Sequence, residues 1–549
     1  MRLPRPSYRL PFRRRAAAAP TEGVVAATPV PPSTTRRAAR AVLAAGLAVL
    51  VAALVAVGAG LAGGEPRGAS ASVESYSASP GWLTASGGPL AGLSPLPDYA
   101  LPSTPPLPPP PAPSTPVVPV AVPPATTTTP PAAAPGTTAP APGGTTSPGS
   151  SSPTPSAPSS GDVQPPRQTA TTVPGTLFGI HDAELAAGKV PGVPVGEVRL
   201  WDTEGTTWRD LQPTSRTWDW TRLDTAVATA QKAGERVLLV LGQTPQWAAS
   251  DPSDPAYASS TGYGPSVPRS VGSWTTYVKA VATRYKGRIA DYEVWNEPNA
   301  KQFWTGSMKQ LVPFAKAAYT TIKAVDPEAT VTTPGFVVRR NAQRGDFTRY
   351  LDAGGAQWAD VVNVHLYPEP KGTPEDMGTI LDDVQTRLAK VGASSKPIWN
   401  TEVNFGLPTG GATDGATFSA ATQAAYVARN FLVTQDLGVR RSYWYSWTTT
   451  SLPVSLVGKD QKPTAAAAAW TTIRSWMVGP GWRGCTTSDD GTWTCWVGSG
   501  RIVWNPSRTV DYPVPSGTRT AVSLTGASTP AKGGDSVKVG GSPLLLRTS

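Results

Sequence analysis

The chain of 549 residues carries 61 prolines, 54 glycines and a formal net charge of +11. That length exceeds one ordinary hydrophobic core, so a large domain with appendages is expected. Nine arginines against one acid, Glu22, fall within residues 1–40; the remainder is near neutral, which argues against a nucleic-acid-binding surface.

In chain order, residues 1–40 read as a basic cytoplasmic segment. Residues 41–63, AVLAAGLAVLVAALVAVGAGLAG, are free of charge and long enough to cross a bilayer. The preceding arginines would hold the amino terminus inside and send the rest of the chain out. Two readings stay open. One is an uncleaved anchor that ties the chain to the cytoplasmic membrane. The other is a signal peptide, cut near Ala69-Ser70-Ala71, that releases a secreted protein. Residues 64–175 are an extracytoplasmic low-complexity linker, rich in Pro, Thr and Ser from 101 onward, as in PPATTTTPPAAAPGTTAP. Such a composition cannot build an apolar core and favours extended, disordered states.

From 176 to 479, short apolar runs alternate with helical patterns. Strands are expected at 177–181, 196–202, 235–242, 290–296, 329–336, 359–367, 396–404 and 440–447. Helices are expected at 221–233, 273–286, 307–324, near 345–355, and at 375–391, 417–436 and 465–478. In the first helix Leu223, Ala226, Val227 and Ala230 form one apolar stripe. Runs such as RVLLVLG are typical of strands buried on both faces of a parallel sheet. Eight such units imply an α/β fold, a (β/α)8 TIM barrel. No glycine-rich phosphate loop follows the first strand, which counts against a dinucleotide-binding sheet. The segment 243–270, with Trp247 and Tyr263, reads as a long third loop that lines a cleft. Residues 480–549 change character to Gly, Thr, Ser and Val, as expected of a small C-terminal β domain that buttresses the barrel. The two cysteines, Cys485 and Cys495, stand ten residues apart. Outside the cytoplasm they would pair as a disulfide closing a hairpin.

Barrel chemistry gathers at the carboxyl ends of the strands. The fourth strand ends in Trp295-Asn296-Glu297-Pro298-Asn299 and the seventh in Asn400-Thr401-Glu402-Val403-Asn404. Hydrolysis of a glycosidic bond needs two such carboxyl groups, one protonated and one ionised. WNEPN, within RYKGRIADYEVWNEPN, together with KPIWNTEVNFG resembles the clan of retaining (β/α)8-barrel glycoside hydrolases. That clan includes cellulase, β-xylosidase, α-L-arabinofuranosidase and α-L-iduronidase families. The look is nearest to the β-xylosidase and bacterial exopolysaccharide-hydrolase group, over roughly 175–480. The resemblance implies Glu297 as acid/base, Glu402 as nucleophile, and Asn296 as the residue that bonds the sugar 2-hydroxyl. It further implies Arg199 beneath the pocket, keeping Glu402 ionised, and His365 and Tyr367 beside the nucleophile. Trp447, with Trp444 as the alternative, would floor the sugar subsite.

His181, Asp202 and Trp304 are further candidates for sugar contact. His181 has a structural alternative, in which backbone satisfies the ring. No Cys/His grouping has metal-ligand spacing, so no metal and no cofactor are expected. The expected partner is an extracellular or cell-envelope polysaccharide or oligosaccharide, met by a monomer. The rival reading is a non-catalytic, membrane-anchored carbohydrate-binding protein on the same fold.

Overall fold

The computed structural model describes residues 164–548 apart from 168, 202, 204, 259–262 and 409–414. Parallel strands β1 (Phe178–His181), β2 (Glu197–Leu200), β3 (Arg236–Leu241), β4 (Asp291–Val294), β5 (Thr330–Thr332), β6 (Phe336–Val337), β7 (Val362–His365), β8 (Ile398–Val403) and β9 (Ser442–Trp444) form one curled sheet. Its order is β5-β4-β3-β2-β1-β9-β8-β7-β6, so the first strand lies beside the last.

Helices α1 (Thr221–Ala233), α2 (Val271–Arg284), α3 (Met308–Val325), α4 (Asn341–Asp352), α5 (Met377–Lys390), α6 (Ala420–Asp436) and α7 (Ala465–Met477) alternate with these strands. Period-two alternation sorts the strand side chains. On β3, Val237, Leu239 and Leu241 join the large core that also holds helix residues, whereas Leu238 clusters with Val361, Trp399 and Tyr443 inside the barrel. Below that layer Arg441 pairs with Glu197 and Asp291, all three from strand starts.

The fold expected from sequence needs three corrections. First, the membrane segment at 41–63 lies outside the described residues. Among those described, no helix is long and apolar enough to cross a membrane. Even the 18-residue α3 is amphipathic, with Lys309, Lys316 and Lys323 along it. Over the described residues the fold class is therefore a barrel with a β-rich region and no transmembrane helix. Second, the fifth stave of the barrel is not one strand. Pro334 has no N–H for the ladder and splits it into β5 and β6. The seam is bridged instead by the single parallel pairs Thr332 to Val361 and Asn296 to Gly335. Third, the connection from β1 to β2 carries only a 3-10 turn, Leu185–Ala187, in place of a helix. Its prolines, Pro191 and Pro194, leave no room for a longer one.

After α7 the chain forms antiparallel strands β10 (Gly481–Thr487), β11 (Trp493–Val497), β12 (Gly500–Trp504), β13 (Val510–Pro513), β14 (Thr520–Ser523), β15 (Ser528–Pro530), β16 (Ser536–Val539) and β17 (Leu544–Arg547). Cys485 and Cys495 face each other across β10 and β11 and are bonded. The short strand Thr171–Thr172, just before the barrel, pairs with the β10 residues Gly481 and Trp482.

Candidate active site

The β4 sequence DYEVWNE alternates cleanly, and unbroken alternation would aim Trp295 into the barrel. Trp295 instead has φ +78° and packs outward on Trp274 and Trp304. Left-handed backbone at a bulky residue is costly and is held here by the surrounding indoles. The break in alternation carries Asn296 and Glu297 together to the barrel mouth. Glu297 itself has φ +40°, and its N–H donates to the Gly335 carbonyl at 2.8 Å. Gly335 is needed at that seam. A Cβ there would lie 2.3 Å from His365 Nε2 and 2.6 Å from Glu293 Oε1.

Across the mouth, Glu402 stands near the end of β8. A carboxylate oxygen of Glu297, one of Glu402 and a nitrogen of His365 all lie within 4.8 Å of one another. His365 Nδ1 bonds Glu297 Oε1 at 2.9 Å and stands 3.9 Å from Glu402 Oε2. The imidazole therefore serves the fourth-strand carboxyl more directly than the seventh-strand one beside which it was expected. Tyr367 donates its hydroxyl to Glu402 Oε1 at 2.6 Å. Arg199 reaches Glu402 Oε2 through Nη1 at 3.0 Å. Its Nη2 also donates to Asn296 Oδ1 at 2.7 Å, and the buried Asn296 Nδ2 has no hydrogen-bond partner among the described residues. An amide donor held by its oxygen and open at its nitrogen is suited to a ligand hydroxyl.

Burial dominates the electrostatics. It pushes the Glu402 carboxyl above its ordinary range; the neighbouring Glu297 adds to this, and Arg199 and His365 oppose it. Arg199 alone thus does not hold Glu402 down as the sequence suggested, because the arginine is shared. Its Nε and Nη2 are taken by Glu293, at 2.8 and 2.6 Å, and both side chains are fully buried. Burial lowers His365 to about 4 and carries His181 well below the usual imidazole range, so both rings are neutral near pH 7. Burial, with Glu402 next, raises Tyr367 well above its usual range and keeps it a donor.

The other predicted residues fall as follows. His181 Nε2 meets the Thr401 carbonyl and Arg199 Nη1, both at 3.0 Å, so the ring is spent on protein groups. Trp447 retains 8% exposure, and its backbone N–H donates to the His181 carbonyl. Trp444 is wholly buried against Phe405. Trp304 is wholly buried between Trp295 and Phe314, with Nε1 on the Ser307 carbonyl. Asp202 lies outside the described residues. In the third loop, Trp247 donates to the Gln212 carbonyl and Tyr263 packs on Phe303.

Two residues were missed. Glu293 was detectable as an acid at an inward position of a buried strand. Arg339 follows β6, stacks over the Tyr367 ring at 5.4 Å, and donates to the Tyr367 and Leu407 carbonyls. Nothing in its local sequence, VVRRN, points inward. Two-carboxylate hydrolysis requires no metal. The described residues offer no grouping of metal-type donors apart from the trio above, whose Nδ1 is already bonded to Glu297.

The family model of glycosyl hydrolases family 39 matches residues 200–453. A β-xylosidase of Caldicellulosiruptor saccharolyticus is 31% identical over 109 residues, which are 18% of this chain and 22% of that protein. The chain thus matches about a fifth of the length of that curated relative. Among solved structures, a family 39 glycoside hydrolase from Bacteroides cellulosilyticus WH2 aligns with a TM-score of 0.53 at 16% identity, over 68% of this chain and 81% of that one. A β-xylosidase of the same family from Caulobacter crescentus aligns with a TM-score of 0.50 at 14% identity, over 69% and 97%. The structural likeness speaks for the (β/α)8-barrel fold, and the family model and the sequence match make residues 200–453 similar to the glycoside hydrolases of family 39.

Proposed function

We propose that the protein is a retaining glycoside hydrolase that cleaves a polysaccharide or oligosaccharide outside the cytoplasm. Glu297 is its acid/base and Glu402 its nucleophile. The observation that carries this reading is the spacing of the two carboxyl groups. Oxygens within 4.8 Å match a pair that attacks directly, for which about 5–5.5 Å between carboxyl groups is usual. An inverting pair stands about 6.5–9.5 Å apart, to admit a water between attacker and sugar.

In the first step Glu402 attacks the anomeric carbon while Glu297 passes its proton to the departing oxygen. The glycosyl ester neutralises Glu402, and Glu297, now ionised, takes a proton from water. That water displaces the ester with a second inversion and restores both carboxyl groups. Tyr367 and Arg199 hold the attacking carboxylate, and Asn296 Nδ2 is free to hold the 2-hydroxyl. The Cys485–Cys495 bond fits an oxidising compartment. The relatives named as β-xylosidases make a β-xyloside the first substrate to try.

The test is a screen of 4-nitrophenyl glycosides and plant and bacterial polysaccharides, with product analysis. Glu402→Ala should lose at least about 10⁴-fold in kcat, in line with the loss of a reacting group. Azide should restore turnover in that variant on an activated substrate and yield the glycosyl azide of inverted configuration. Binding of glycans without cleavage by the unaltered protein would sink the enzyme reading in favour of a carbohydrate-binding protein.

A further inference from the structure

The two-carboxylate reaction has no step for Glu293, yet this acid is fully buried on the side of the site that holds Arg199. It bonds two of the three guanidinium nitrogens, and only Nη1 is left for Glu402. We infer that Glu293 is a positioning residue: by compensating the charge of Arg199 it keeps one proton on the Glu297–Glu402 pair. This rests on the retaining reading above.

The charges facing the pair can be taken strand by strand. β1 brings His181 and β7 brings His365, both neutral near pH 7. Tyr367, just past β7, is neutral as well. Arg339, past β6, is turned to the Tyr367 and Leu407 carbonyls. Among the described residues Arg199 from β2 is bonded to Glu402, Glu293 from β4 is bonded to Arg199, and Arg339 acts on Glu297 through space without a bond to it. An Arg199 with no acid of its own would support two anions on Glu297 and Glu402 and drain the acid of its proton. Joined through two N–H bonds, the guanidinium and the Glu293 carboxyl offset each other's charge. Two buried carboxyl groups this close then resist ionising together, and one keeps its proton. That retained proton is what the leaving oxygen requires.

The measurement is the pH dependence of kcat/KM for full-length Glu293→Gln, using whichever 4-nitrophenyl glycoside the unaltered protein hydrolyses. Both limbs of the profile should move to lower pH, by about one unit or more. A lower plateau with unmoved limbs would mean that Glu293 merely props Arg199, and would overturn the inference. A second readout needs no substrate. The buried carboxylic-acid infrared band, assigned by its loss in Glu297→Gln and Glu402→Gln, reports the same proton directly. Its midpoint should fall in Glu293→Gln; an unchanged midpoint overturns the proposal. Should Glu293→Gln not fold, Glu293→Gln with Arg199→Gln removes both charges and leaves no lone ion buried. Compensation then predicts an infrared midpoint within about half a unit of the unaltered protein, and a larger displacement refutes it. Because the band is read without turnover, absence of hydrolysis would overturn the enzyme reading separately from the charge argument.

Discussion

Asp182, next to His181 at the top of β1, shows how much a single buried carboxyl shapes this molecule. It is 1% exposed, accepts one bond from the Glu184 N–H, and has no partner for Oδ2 among the described residues. Burial raises it from 3.8 to about 7. The sign of the linkage follows. A carboxyl raised in the folded state contributes stability that is fully present below the unfolded value, near pH 4. That contribution is lost progressively as pH rises, and the loss is complete above about 7. Asp182→Asn removes the ionisation. Its melting temperature should match that of the unaltered protein near pH 4 and exceed it increasingly up to pH 7 or 8. A constant offset across that range would show that Asp182 does not titrate in this window. At this scale the sequence was most informative where a motif is contiguous. Glu297, Glu402, Asn296, Arg199, His365 and Tyr367 meet in one cluster, and each had been picked from its strand end. Distance in the chain hid the rest. That Arg199 serves Glu293 as well as Glu402 depends on three strands meeting, and the inward direction of Arg339 depends on a loop path. Exposure was equally hidden. Trp304 and Trp444 looked like sugar platforms, but the same apolar surface that would stack on a sugar packs a core equally well.

Elements were easier to read, because periodicity is a local property. α1 spans the residues expected of it, and Leu223, Ala226, Val227 and Ala230 are its buried stripe. The failures came where one residue overrules its neighbours. The apolar run at 329–336 read as a single strand although Pro334 stood inside it, and the bridge that mends the seam comes from Val361, far along the chain. The β10–β11 hairpin invites a quantitative test at this scale. Its cross-link joins residues ten apart, already in register in the ladder. Closing a loop of that size in the unfolded chain is worth about 3 kcal/mol. Cys485→Ala with Cys495→Ala should therefore lower the unfolding free energy by about 2–3 kcal/mol in a denaturant titration. The hairpin contributes no residue to the carboxylate cluster, so kcat should stay within about twofold. A denaturation curve unaltered by the double change would mean that the bond constrains nothing the β ladder does not already hold.

The barrel and the β-rich region share one core, and this decides how the molecule can be divided. Trp482, Cys495, Ile502 and Trp504 belong to the same buried cluster as Phe178, Phe431 and Trp470 of the barrel. α6 is buried without interruption from Ala424 to Thr434, so no face of it was designed for water. Its Arg429 is tied to Glu375, and Trp504 Nε1 donates to the same carboxylate at 2.8 Å. Cutting after the last barrel helix would leave this ion pair half-covered and strip apolar cover from the ends of α6 and α7. A side chain such as Trp504 alone is worth about 3–5 kcal/mol when removed from a packed core, comparable with much of the stability of an entire domain. A chain ending at residue 479 should accordingly be insoluble or melt without a cooperative transition, whereas one spanning 164–549 should melt in a single step by differential scanning calorimetry. The amino-terminal edge obeys the same logic, since Thr171 and Thr172 pair with β10: starting the chain at 176 instead of 164 should lower that single transition without dividing it in two. Recovery of a soluble, cooperatively folding and active 164–479 fragment would show that the barrel closes its own core and that the β-rich region is an independent module carried beside it.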